Sequence, residues 1–196
     1  TMLDTVNGWF TENSYGRVHF LSTVTPLIVL PRSETWYREV GDTFRLRDDA
    51  FAAAEGMGID PDQFDLYVLA YTGGPGRFRG LGNIGGAGIW LRSQTAGVLI
   101  HELDHNLGLV HSNLWDTGGT SVVGSGSNLE YGNPFDAMGS GTDSNLPFNA
   151  VWKRSLDWLP RETAPEITAS GTYQLRAFDG ASLDPSQRYA LRVRKD

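Results

Sequence analysis

Apolar residues in this 196-residue chain recur with two different periods, and the alternation between them marks the elements. Over residues 3–14, Val6, Trp9 and Phe10 fall at the spacing of one helix face. Residues 18–30 are rich in β-branched and apolar side chains and stop at Pro31, which predicts a strand. A helix is predicted over 44–57, with an alanine-rich centre and Gly56 and Gly58 closing it. Phe64-Asp65-Leu66-Tyr67-Val68-Leu69-Ala70-Tyr71 reads as a buried strand, ended by Gly73-Gly74-Pro75. Residues 82–91 are glycine-rich yet finish on Ile89-Trp90-Leu91. The apolar run Ala96-Gly97-Val98-Leu99-Ile100 leads into a further helix flanked by Leu103, Leu107 and Leu109. An irregular Gly/Ser/Asn stretch follows from 112 to 146, and then a predicted helix over 147–158. The fold class expected from this order is α/β (α+β).

From 164 onward the pattern alternates, with Tyr173, Leu175 and Ala177, then Tyr189, Leu191 and Val193, at period two. Two strands cannot bury a face alone. Residues 164–196 are therefore a β-strand appendage on the domain formed by 1–163, or the start of a truncated C-terminal β domain. The second is the expectation.

Composition narrows the class. Hydrophobic content of 40% and charged content of 20% suit a globular domain of this length. No apolar run approaches the ~20 residues that span a bilayer. Net charge is −7 with no basic cluster, so nucleic acid is not an expected partner. There is no cysteine, hence no thiolate ligand within the chain. The start, Thr1-Met2-Leu3-Asp4, lacks the basic and apolar regions of a signal peptide.

The chemistry concentrates in residues 101–111, His-Glu-Leu-Asp-His-Asn-Leu-Gly-Leu-Val-His, which hold three of the four histidines. On a helix, His101 and His105 leave the same face one turn apart. Gly108 lets the chain turn out of the helix and brings His111 round as a third nitrogen ligand. Three protein ligands with an open position describe a catalytic zinc, whereas structural zinc is closed by four. Glu102, beside that face, is placed to act as general base on a water at the metal, whose pKa zinc lowers to about 7. A bare His-Glu-x-x-His is a weak sign, because an amphipathic helix carries such histidines by chance; the full string is far more specific.

The extended string resembles the signature of the metzincin zinc metalloproteases. Glu130-Tyr131-Gly132-Asn133-Pro134-Phe135-Asp136-Ala137-Met138-Gly139 is similar to their Met-turn, with Met138 as the methionine supporting the metal site without ligating it. Asn13-Ser14-Tyr15-Gly16, the Met-turn stretch and His111-Ser112 look most like the gametolysin-like branch and its bacterial secreted relatives. The likeness extends over residues 5–196, but only the zinc string and the Met-turn are specific. Ser140 stands where astacins and serralysins place a tyrosine, so no tyrosine role carries over.

The resemblance implies a metzincin-type catalytic domain: a twisted mixed sheet, a zinc-binding helix, an irregular lower part with the Met-turn, one catalytic zinc and a polypeptide substrate. It also implies secretion, and a monomer is expected. Gly85, Gly86, Ala87 and Gly88 then read as part of an edge strand, over 85–90, against which an extended substrate pairs antiparallel. The alternative for that segment is a flexible glycine loop. Asp116, Glu130, Asp136 and Asp143 are acidic residues that could hold calcium, but no calcium-loop spacing supports it. His19 and the six tryptophans are expected to pack or face solvent. The resulting expectation is a zinc endopeptidase. Its alternatives are a catalytically silent binding module on the same scaffold and a zinc hydrolase of a non-peptide substrate.

Overall fold

Side-chain caps fix where most helices begin, and each cap is local in sequence. In the computed structural model, which describes residues 1–119, 121, 124–140, 146–180 and 182–194, helix α1 spans Met2–Asn13. It opens with a reciprocal capping box between Thr1 and Asp4. Ser33 caps α2 (Glu34–Val40), which ends at Gly41 in the left-handed region, φ 70°. Asp42 caps α3 (Thr43–Glu55), Thr95 caps α4 (Ala96–Asn106) and Asn149 caps α5 (Ala150–Ser155). The chain is mixed α and β, with small sheets, and divides into two compact units: 1–21 with 111–196, and 22–110.

The 22–110 unit is built on a mixed three-stranded sheet of β1 (Tyr67–Ala70), β2 (Gly80–Gly82) and β3 (Gly88–Leu91), in the order β1-β3-β2. Strand β3 runs parallel to β1 and antiparallel to β2. Ile89, Trp90 and Leu91 are completely buried, as a strand covered on both faces must be. Trp90 packs with Tyr37 and Leu46, meets the Phe44 ring edge-on and donates its indole N–H to the Thr43 carbonyl at 2.8 Å. By strand alternation Ile89 and Leu91 face the opposite side, where α4 packs on β2 and β3.

In the other unit, Trp9, Phe10, Phe148 and Trp158 form an edge-to-face and tilted aromatic cluster. A short hairpin, β4 (Leu114–Asp116) with β5 (Ser127–Leu129), stands out with all six residues exposed. The side chain of Lys153 is enclosed, its Nζ donating to the Asn13 carbonyl at 3.1 Å and to Tyr15 Oη and the Phe178 carbonyl at 3.3 Å. Burial pushes its amine down to about 8.

Two expectations need correction. Residues 18–30 form no strand: Leu21, Val24, Leu27 and Val29 are exposed, and no ladder is formed there. β-propensity without a pairing partner does not make a strand. The C-terminal alternation yields only β6 (Glu166–Ile167) beside β7 (Arg192–Val193), paired parallel. The compact units part at 21/22 and 110/111. Leu159, Ala164 and Tyr189 share one buried cluster with Phe178 against it. Helix α2 was not evident in the hydrophobic pattern. Among the described residues no helix is long and apolar enough to cross a membrane.

Candidate metal centre

Helix α4 carries the first two histidines. Its N-terminal turns bury Val98, Leu99 and Ile100, and His101, Glu102 and His105 are buried as well. The His101 and His105 rings meet at 4.9 Å between centroids, nearly perpendicular. The helix ends at Leu107, and Gly108 follows at φ 90°, a conformation that side chains disfavour. Leu109 N–H then reaches back to the Asp104 carbonyl at 3.1 Å. That turn also brings the Leu109 carbonyl to His105 Nδ1 at 2.8 Å, where the ring donates and leaves Nε2 as its lone-pair nitrogen.

One potential ligand atom from each of His101, His105 and His111 lies within 4.8 Å of the other two. This is the only such group of three metal-binding side chains among the described residues. The donor set fits a divalent metal that favours imidazole, zinc included. His111 Nδ1 faces Glu130 Oε1 at 2.7 Å, which again directs Nε2 to a metal.

The Glu102 carboxyl is pushed up to about 7 by burial, with a hydrogen bond from the Gly82 backbone opposing the shift. Strand β2 explains that burial. A Cβ at Gly82 would run into the Glu102 carbonyl oxygen, and one at Gly80 into the Glu102 carboxylate. Glycine at both positions lets the strand lie directly against α4. These two residues escaped the sequence reading, although glycines at alternate positions, Gly80-Leu81-Gly82, are the mark of a strand face pressed on another backbone.

The segment 85–90 is not an edge strand, which corrects the expectation. Gly85, Gly86 and Ala87 form a turn, and Gly88 begins the central strand of the sheet. Their backbone groups are already engaged: Gly85 N–H donates to the His105 carbonyl at 2.8 Å, and the Ala87 carbonyl accepts from Tyr67 N–H at 2.9 Å. The Gly88 carbonyl accepts from Asn83 N–H at 3.0 Å and from Asn106 Nδ2 at 3.2 Å. The open antiparallel edge is β2. Arg92 N–H donates to the Arg79 carbonyl and Asn83 N–H to the Gly88 carbonyl, so positions 79, 81 and 83 point their backbone groups at β3. Gly80 points its groups outward, whereas the Gly82 N–H on that side is given to the Glu102 carboxyl.

Met138 is fully buried in a turn organised by Asp136. Asp136 Oδ1 accepts from Met138 N–H at 2.8 Å and Oδ2 from Asn149 N–H at 2.6 Å. Burial raises the Asp136 carboxyl, and these two hydrogen bonds oppose it. The turn is latched to the residue after His111: Ser112 N–H donates to the Met138 carbonyl at 2.7 Å, and Asn133 N–H to the Ser112 carbonyl. Asn133 Nδ2 and Asn149 Nδ2 both donate to Ser112 Oγ. Asp136 is thus committed to the turn, Glu130 to His111, and Asp116 to Gly118 N–H. Asp143, the remaining acidic residue weighed for calcium, lies outside the described residues. His19 is exposed, between Thr11 Oγ1 and the Gly16 carbonyl. Comparison with protein-family models, with curated proteins and with solved structures finds no match.

Proposed function

We propose that the chain is a zinc-dependent endopeptidase of the metzincin type. The observation that carries the reading is the joint occurrence of a three-histidine donor set and a buried carboxyl, Glu102, next in sequence to one of the donors. Zinc, when bound, supplies Lewis acidity toward the carbonyl under attack. Glu102 takes a proton from the attacking water on its carboxylate and hands it to the departing amide nitrogen. Burial supports that role, since a carboxyl shifted toward neutrality exchanges protons readily near pH 7. The outward backbone groups of Gly80 and the Gly82 carbonyl suit an extended peptide laid along β2. This edge replaces residues 85–90 as the substrate-pairing strand.

The test is incubation of the zinc-loaded protein with a denatured protein, with and without chelator. Fragments that disappear with chelator and return with added zinc are expected. Intact substrate after prolonged incubation refutes the peptidase reading, and substrate retained but uncleaved would mark a binding module instead.

A further inference from the structure

We propose that Glu130 is a positioning residue for the third metal ligand, held there by the hairpin and by the strained residue that follows it; this rests on the metal-site reading above. The β4–β5 register pairs Leu114 with Leu129. His111 lies three residues before that pair and Glu130 one residue after it, so the hairpin brings the two face to face. Glu130 Oε1 stands 2.7 Å from His111 Nδ1. The next residue, Tyr131, lays its ring on the same imidazole, centroids 3.8 Å apart and planes 33° apart.

Tyr131 reaches that position at φ 58°, in the left-handed region where an aromatic residue is strained. Its N–H donates to Asn113 Oδ1 at 3.1 Å, and Gly132 N–H returns to the Leu129 carbonyl at 3.1 Å. These bonds hold the strained turn. Two consecutive side chains therefore grip one imidazole, at its edge and on its face. Glu130 accepts the Nδ1 proton and so selects the tautomer that carries its lone pair on Nε2, the atom a metal would take. His105 obtains the same service from a backbone carbonyl, that of Leu109, which substitution cannot remove. The Glu130 side chain is 65% exposed, so replacing it opens no cavity.

Zinc affinity, measured by competition with a chromophoric chelator, tests the proposal alongside thermal unfolding of the metal-free proteins. Glu130→Ala is expected to weaken zinc about 10- to 100-fold while its metal-free unfolding temperature stays unchanged. Glu130→Gln keeps an acceptor oxygen without the charge and is expected to recover part of the loss. His105→Ala separates the two readings. Unchanged zinc affinity in His105→Ala overturns the metal site and this inference with it. Weakened zinc in His105→Ala with unchanged affinity in Glu130→Ala overturns this inference alone. A metal-free unfolding temperature that falls in Glu130→Ala reassigns the residue to holding the hairpin and overturns it as well.

Discussion

The two compact units solve the same problem by different means. In 22–110 the candidate site's side chains ride on a helix whose place is set by apolar contact: α4 lies on β2 and β3, whose facing positions are glycine or buried Ile89 and Leu91. In the unit containing 111–196 the corresponding residues sit in turns, held by the buried polar groups of Asp136 and Ser112 and the half-buried Asn149. Packing is tolerant of small changes, whereas a buried hydrogen-bond network loses a full desolvation cost when one member goes. The first unit should therefore yield to changes of volume and the second to changes of polarity.

Glu102→Gln gives the largest expected effect. The proposed peptidase activity should fall by several orders of magnitude while zinc content and fold persist, because the change removes the proposed base at constant size. Near-normal turnover in that variant would make Glu102 a bystander.

The same carboxyl should govern the pH dependence of the metal-free protein. Its folded pKa, about 7, lies above the ordinary glutamate value of 4.5, so between those limits the folded state holds the proton more tightly. Stability attributable to Glu102 is therefore greatest below about pH 4.5 and is lost as pH rises toward 7, by up to about 3 kcal/mol. Denaturant titrations of the unchanged protein and Glu102→Gln should diverge over that window; parallel curves would remove the burial argument.

Asp136→Ala should cost about 2–3 kcal/mol, since it leaves the buried Met138 amide and the half-buried Asn149 amide without their acceptor. A loss below about 1 kcal/mol would show that the turn does not depend on polar satisfaction. Gly82→Ala probes the packed unit and should cost about 1–3 kcal/mol by forcing β2 away from α4. Full stability in that variant would contradict the close approach. Met138→Leu is the mildest: it conserves volume, and should cost less than about 1.5 kcal/mol with zinc retained. Zinc loss without unfolding would give Met138 a more direct part.

The same contrast decides what could be read beforehand. His101, Glu102, His105, Gly108 and His111 lie within eleven consecutive residues, so helix periodicity and one glycine turn describe their layout without any distant contact. The network of Ser112, Asn133, Asp136 and Asn149 is invisible in the chain, because each bond joins a side chain to backbone or to another side chain some distance away in sequence. Glycine misled in one place and could have guided in another. A run such as Gly85-Gly86-Ala87-Gly88 says only that backbone freedom or close approach is required, and here it serves a turn fastened to α4 and room for the Tyr67 hydroxyl. The alternating pair Gly80 and Gly82 carried the more specific message. Residues 18–30 have the composition of a strand, but composition cannot supply a neighbouring ladder.

Lys153 has a consequence for how the molecule is made. Its ammonium is satisfied only when Asn13, Tyr15 and Phe178 have all arrived, three partners from the two ends of the sequence. The unit it belongs to is discontinuous, interrupted by the whole of 22–110. Closing across roughly 90 intervening residues carries a substantial loop entropy if they are still unfolded, and much less if they are already collapsed. The contiguous unit should therefore form first and shorten the path. The discontinuous one should wait for the last third of the chain, and its assembly should set the folding rate.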